Sequence, residues 1–484
     1  MTARKSACYQ GPVSATKKAT TRRGFMSVRV RFAPSNTGFL HMGNTRTALF
    51  NYLFARNQGG TFVLRIEDTD QARSEERFAD AIVEALEWLG MSPDEGPYRQ
   101  MDRADRYVET VAELLEKGAA YKCFCTPEEL EAMREKAAAE GRKPKYDGTW
   151  RDRTDHPEGE PYVVRIKMPQ EGSITVDDLV QGSVTVDVEE LDDFIIQRSD
   201  GTPTYNFVVV VDDVDMEITH VIRGADHLNN TFRQVPVYEA LGATTPAFAH
   251  LPLIDGLSKR KGSASVQDYR DAGFLPEAVM NYLSRLGWSH GDQEIFSPQE
   301  LCDLFGFDSV GRSPSSFDED KFRWVNTEWM KRLEPAELAT RWVPFLKNAG
   351  FEVEVDETLV AIVELMRERA ATLVELTEES RYFFTDEFEY DEKAVKKWIK
   401  EGGRPVVEEL IQRLEKLDTW DADSVGGVYK SLGKDREVGM AKMAQPTRIS
   451  LTGSTSSPSV FDLVATFSKD EALRRLRRGL ADLF

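Results

Sequence analysis

Val28-Arg-Val-Arg-Phe-Ala-Pro-Ser-Asn-Thr-Gly-Phe-Leu-His-Met-Gly-Asn44 is the stretch that decides the fold. Val28, Val30 and Phe32 alternate with arginines, as in a strand. The loop Ala33–Met42 follows. From about Asn44 to Asn57, Ala48, Leu49, Tyr52 and Leu53 fall at helical spacing, and Gly59-Gly60 close the helix in C-cap fashion. A loop that runs from a buried strand into a helix N-terminus presents free amide groups and a partial positive charge, which together make a seat for phosphate. Gly38 and Gly43 permit close backbone approach. His41 can donate a hydrogen bond to a phosphate oxygen that gains charge. Taken alone, the His-x-Gly-Asn string reads better as a plain turn with a capping histidine; its surroundings reverse that weighting.

Working outward, Phe62–Ile66 reads as a second strand, and Phe78, Ile82, Ala85, Leu86 and Leu89 mark an amphipathic helix. Strand–helix–strand–helix order implies an α/β fold with a Rossmann-type, doubly wound parallel sheet. From about Tyr107 to Phe207 helical pieces alternate with short β-like runs such as Tyr162–Ile166, and Thr126-Pro-Glu-Glu129 forms a capping box. Glu217–Arg223 then reads as a buried strand and Leu228–Leu241 as a helix. An inserted α+β domain explains this order. Beyond Glu334 the chain reads as all-helical, with a capping box from Ser468 to Glu471. The expected boundaries are a disordered basic head over 1–25, a catalytic domain from 26–106 and 209–257, the insertion over 107–208, a connecting domain over 258–333 and the helical region 334–484.

A chain of 484 residues suggests two to four domains, and 41% apolar with 30% charged residues is a soluble globular composition. No run of about 18 apolar residues is present, so no membrane segment is expected. Four cysteines fit a reducing, cytoplasmic setting better than a disulfide scaffold. The net charge of -20 argues only weakly against a polyanionic partner, because nucleic acid reads local patches. Residues 1–25 carry six basic and no acidic side chains. They read as a tail, or as an early start ahead of Met26, in preference to a transit peptide. No coiled-coil pattern occurs, so a monomer is expected.

Several longer strings occur in a fixed order. Arg31–Asn51 resembles the signature loop and helix of class I aminoacyl-tRNA synthetases in their glutamyl and glutaminyl branch, as does Leu64-Arg-Ile-Glu-Asp-Thr-Asp70. The likeness continues through Glu95-Gly-Pro-Tyr98, Ala120-Tyr-Lys-Cys-Phe-Cys-Thr126, Gly201-Thr-Pro-Thr-Tyr-Asn-Phe207, Asp212-Asp213 and His220-Val-Ile-Arg-Gly-Ala-Asp-His-Leu228. Leu257-Ser-Lys-Arg-Lys-Gly262 resembles the KMSKS loop, and Gln445-Pro-Thr-Arg448 with Leu451-Thr-Gly-Ser454 resembles the bacterial glutamyl-tRNA synthetase tail. The likeness covers roughly residues 28–480.

The resemblance implies a ligase that joins L-glutamate to tRNA(Glu) through a glutamyl-adenylate, with ATP as co-substrate and Mg²⁺ carried by the phosphates. It places ATP along His41, Gly43 and Asn44, with Ser258, Lys259 and Arg260 reaching in from the loop, and makes His41, Gly43 and Lys259 catalytic. It places glutamate against Arg31, Ser35, Glu67, Tyr205 and Arg223. A guanidinium fork suits a carboxylate and disfavours a neutral amide. Arg65 is expected instead to pair with Asp68 and Asp70. The insertion would hold the acceptor end and the helical region the anticodon. Arg474, Arg475, Arg477 and Arg478 share one helix, readable as an RNA-binding or a solvated basic face.

Three departures from the family pattern stand out. Asn36 replaces a loop proline, and the lysines that usually follow Asp255-Gly256 are absent. Cys123-x-Cys125 opens what is a zinc knuckle in some relatives, but Trp150 and Asp152 stand where its second half should be, so no structural zinc and no metal ligands are expected. A glutaminyl enzyme would end in β-barrels, and a glutamyl-queuosine enzyme would lack the helical region. A non-catalytic RNA-binding paralogue draws support only from the shortened loop.

Overall fold

The computed structural model describes residues 27–69, 73–141, 143–256 and 264–484. The head 1–25 and Ser258, Lys259 and Arg260 lie outside the described residues. In chain order the strands are β1 (Arg29–Phe32), β2 (Thr61–Ile66), β3 (Glu95–Arg99), β4 (Ala120–Cys123), β5 (Val163–Ile166), β6 (Ser173–Asp178), β7 (Gly182–Asp187), β8 (Ile195–Gln197), β9 (His220–Gly224), β10 (Ala247–Leu251), β11 (Ile254–Asp255) and β12 (Ser315–Ser316). The main sheet runs β3-β2-β1-β9-β10-β6-β7, and all its pairings are parallel except the β6–β7 hairpin. Strands β4, β5 and β8 make a separate antiparallel sheet. From β1 the chain winds one way to β2 and β3, and later the other way from β9 to β10. The reversal between β1 and β9 opens a crevice at the strands' carboxyl ends.

Six helices surround these strands: α1 (Met42–Gln58), α2 (Glu76–Trp88), α3 (Ala104–Glu116), α4 (Pro127–Ala139), α5 (Tyr205–Asp215) and α6 (Leu228–Leu241). Gly59 ends α1 in the left-handed region at φ 61°, and a Cβ on Gly60 would stand 2.3 Å from the Val28 carbonyl oxygen. Thus one glycine turns the chain and the next lets it dock beside β1. The capping box at Thr126 and Glu129 is formed as its spacing requires.

Two apolar cores sandwich the sheet. One joins α1 and α2 to the helices that follow residue 266 and continues to Leu376. The other lies under α3, α5 and α6 and takes Val176 from the hairpin. The β6–β7 hairpin comes from the stretch expected to form the insertion, yet it extends the main sheet. A further core, from Val407 to Leu476, belongs to the last helices.

Two expectations need correction. The strand expected from Glu217 begins only at His220. Glu217 has φ 53°, and the Glu217 and Ile218 amides bond back to Val214 and Asp213, closing α5 before the strand starts. The four arginines of the helix Lys469–Leu483 do not share one face: Arg474 and Arg477 are exposed, Arg478 is half-buried and Arg475 points inward. Arg475 is buried: its Nη1 donates to the Tyr382 carbonyl at 2.6 Å and the Leu451 carbonyl at 3.2 Å, and its Nε pairs with Glu471. Arg474 and Arg478 both pair with Asp386, and Arg477 with Glu415. These side chains fasten the last helix to the segments before it. R475A leaves three carbonyls, those of Tyr382, Leu451 and Thr385, without their donor and should lower stability by about 2–4 kcal/mol, whereas exposed R477A should change it by under about 0.5 kcal/mol. Urea unfolding of the two variants measures the difference.

Candidate active site

A cavity of about 680 Å³ lies in the crevice between β1 and β9. Arg31, Ser35, His41, Gly43, Asn44, Glu67, Tyr205 and Arg223 all line it, although they span most of the first half of the chain. Gly38 does not line it, and open space surrounds the position of its Cβ. On either side of residues 257–263 the chain returns to the cavity rim. Leu253 and Ile254 line the cavity before the segment. After it, Ser265 bridges to His41, and the Val266 amide bonds to the Leu40 carbonyl at 3.0 Å.

His41 caps α1. Its Nδ1 accepts the Asn44 amide at 3.3 Å, so in the neutral ring the proton sits on Nε2. Burial holds its pKa below the usual histidine value, which keeps the ring neutral near pH 7. The open amides of the first turn and a neutral N–H donor therefore share one end of the cavity. Asn36 compensates in part for the missing proline: its Nδ2 reaches the Glu75 carbonyl at 3.4 Å, and its own carbonyl accepts the Glu75 amide at 3.1 Å.

The strand arginines differ in how their charge is met. Arg31 Nε and Arg65 Nη1 both donate to Asp213 Oδ1, at 3.1 and 2.8 Å. Asp213 also accepts Tyr238 Oη at 3.2 Å. Burial raises the Asp213 carboxyl pKa, but the two guanidiniums outweigh it and bring it below the usual range. Arg65 thus pairs with Asp213, with Asp212 and Glu67 each at 3.7 Å, and Asp68 is not among these partners. Asp68 accepts the Met101 amide instead, and Asp70 lies outside the described residues. Asp212 takes Gln100, Arg103 and Tyr107.

Arg223 is different. Its Nε donates to His250 Nε2 at 3.1 Å, and its Nη2 donates to Thr231 Oγ1 at 2.7 Å and Gln234 Oε1 at 2.9 Å. All three acceptors are neutral. Its Nη1 is buried without a hydrogen-bond partner among the described residues. Glu67, across the cavity, has its carboxyl pushed up to about 7 by burial, with Arg65 and Arg31 pulling the other way. The Tyr205 hydroxyl, raised to about 12 mainly by burial, lies 3.4 Å from His227 Nδ1. The cavity therefore brings together an uncompensated cation, a carboxyl group and a helix N-terminus.

Residues 27–324 match the family described as tRNA synthetases class I (E and Q), catalytic domain, and residues 336–480 match the anticodon binding domain. A glutamate–tRNA ligase of Geobacter sulfurreducens is 50% identical over 461 residues, covering 94% of this chain and 99% of that protein. The chain belongs to the glutamate–tRNA ligase family of class I tRNA synthetases. Glutamate–tRNA ligase 1 of Gluconobacter oxydans is 49% identical over 467 residues, again covering 94% and 99%. A crystal structure of a glutamate tRNA ligase from Elizabethkingia meningosepticum, in complex with its amino acid, superposes with TM-score 0.85 at 35% identity and covers 95% of this chain and all of that one.

Within this family fold, the Cys-x-Cys site carries a different filling. Cys123 Sγ donates to Tyr146 Oη at 3.5 Å, and the Trp150 amide donates to the same oxygen at 2.8 Å. Tyr121, Cys123, Tyr146 and Trp150 form a small buried cluster, with Phe124 against Trp150. Two thiols beside aromatic rings do not provide a tetrahedral zinc donor set.

Sequence reasoning singled out Asp212-Asp213 only as a matching string; its weight appears once two guanidiniums converge on one carboxylate. D213N removes the carboxylate that buried Arg31 and Arg65 share, leaves Arg65 only its longer contacts to Asp212 and Glu67, and should cost about 3–5 kcal/mol at pH 7. Because the folded pKa is depressed, wild-type stabilisation is present above the unfolded value and fades as pH falls through the folded one. The gap between D213N and wild type, read by urea unfolding, should therefore shrink on acidification.

Proposed function

We propose that this cavity joins the α-carboxylate of L-glutamate to the α-phosphate of ATP, expelling pyrophosphate, and then passes the glutamyl group to the 3′-terminal adenosine of tRNA(Glu), releasing AMP. The observation that carries this reading is Arg223: a buried guanidinium held by neutral acceptors, with Nη1 unpaired among the described residues. Such a group calls for an anion. Arg223 and Arg31 take the substrate carboxylates, with Tyr205 and Ser35 as hydroxyl partners. Glu67 accepts the α-ammonium. ATP lies along His41, Gly43 and Asn44, with His41 Nε2–H and the first-turn amides on its phosphates. Ser258, Lys259 and Arg260 act on the phosphates, and Mg²⁺ arrives with them. Catalysis is then positioning plus charge stabilisation.

A neighbouring cavity of about 500 Å³ supports the tRNA part. Arg134, Lys145, Arg165, Arg198 and Arg233 line it, and Tyr205 lines both cavities. A cavity with five cationic side chains that shares Tyr205 with the glutamate site suits the acceptor end of an RNA, whatever the overall charge of -20. The helical region 336–480 takes the anticodon.

ATP–pyrophosphate exchange tests the proposal. Exchange should appear with glutamate when tRNA(Glu) is present and should not appear with glutamine. Loss of the Lys259 amine in K259A should slow it by about a hundredfold or more. Exchange with glutamine, or none with glutamate under any condition, would overturn the reading.

A pH series tests Glu67 separately. Below about pH 7 its carboxyl is protonated and cannot hold an ammonium. The KM for glutamate should therefore fall as pH rises from 6 to 8. E67Q should raise that KM by roughly tenfold and abolish the pH trend.

A further inference from the structure

Behind Arg223 lie two side chains that do not line the cavity. His250 stands on β10 in register with Arg223 on β9, and Asp178 ends β6. Both side chains are fully buried. Asp178 Oδ2 accepts His250 Nδ1 at 2.6 Å, while its Oδ1 accepts the amides of Val180 at 2.9 Å and Gln181 at 2.8 Å. The His250 amide adds a bond at 3.1 Å. The Gln181 side chain returns a bond to the His250 carbonyl at 2.8 Å.

The partners settle the histidine tautomer. Arginine Nε–H can only donate, so His250 Nε2, 3.1 Å away, must offer its lone pair. The ring proton then sits on Nδ1, where the Asp178 carboxylate accepts it. Thr231 Oγ1, 3.1 Å from the same Nε2, completes the frame. Burial and the nearby Arg223 charge depress the His250 pKa, and Asp178 pulls it the other way without restoring the ordinary value, so the ring is neutral. A carboxylate in the place of His250 would aim the guanidinium equally well but cancel its charge. A neutral acceptor aims it and leaves the charge for the ligand.

We propose that Asp178 and His250 are positioning residues for substrate-carboxylate selection: Asp178 fixes the His250 tautomer, and His250 Nε2 aims the Arg223 guanidinium into the cavity with its charge intact. This rests on Arg223 being a carboxylate receiver. In D178N, the amide nitrogen would donate to Nδ1 and move the ring proton to Nε2, where it confronts the Arg223 Nε–H. A change of nearly identical shape, two residues behind the cavity, thus inverts the polarity of the support.

Steady-state aminoacylation by the full chain, with glutamate and ATP varied in turn, tests the relay. D178N and H250A should raise the KM for glutamate roughly ten- to hundredfold, leave the KM for ATP unchanged and narrow the preference for glutamate over glutamine. H250Q, whose Oε1 can stand near the position of Nε2, should recover most of the loss. Melting temperatures identify folded variants, and if D178N does not fold, the H250A and H250Q pair decides. The proposal is overturned if folded D178N or H250A keeps the wild-type glutamate KM, if the KM values for glutamate and ATP rise in step, or if H250Q gives no recovery over H250A. R223Q separates the two levels. If it leaves the glutamate KM unchanged, the carboxylate-receiver reading falls and takes the relay with it. If R223Q is impaired but D178N and H250A are not, the relay alone falls.

Discussion

Asp213 lies between Arg31 and Arg65, and the cationic floor of the cavity depends on it. Strands β1 and β2 are central in the sheet and their arginines are buried, so without a shared counter-charge the two guanidiniums would repel each other and lack solvation. Asp213 can serve both because α5 packs across the sheet and presents its last turn to the strand ends. Asp212, one residue earlier, secures Arg103 and Tyr107 on the outer side. One helix end therefore fixes the electrostatics of two strands and anchors α3 as well.

The charge pattern that results is uneven in a useful way. Arg31 and Arg65 are compensated by a carboxylate, Arg223 by dipoles alone, and Glu67 faces them from a site where burial works against ionisation. An amino acid with two carboxylates and one ammonium presents the complementary pattern. On the function proposed above, selectivity comes from which charges are left unanswered, more than from the shape of the walls.

The catalytic half of the fold was legible because its signals are local. Alternation in β1, helical spacing in α1 and the Gly59-Gly60 stop each act over a few residues, and the ordered strings tied them to one family. The less legible parts depend on long-range packing. Val208-Val-Val-Val211 carries strand propensity, yet it lies in α5, where the core shared with α3 and α6 and the contacts of Asp213 require a helix. The partner of Arg65 was sought among its neighbours in sequence and found 148 residues away. Nothing local marks β6–β7 as an extension of the main sheet, since that pairing is made with β10, far along the chain. For the last helix, the arginine run was visible but not the buried carbonyls that receive Arg475. Residues lining the cavity were named largely through resemblance, whereas Asp178 and His250, one layer behind, had no signature to give them away.

His41 imposes a constraint of a different kind. Aspartate, serine or threonine would cap α1 more strongly than histidine does. A hydroxyl is too short to cap the helix and also extend into the cavity, and a carboxylate would set a negative charge where the proposed reading brings phosphate. The residue at this position is thus held between two selections, one for a tighter helix and one for an imidazole whose far nitrogen remains available. Over evolutionary drift the helix should stay slightly under-stabilised at its first turn, because the improvements open to it would each remove the donor.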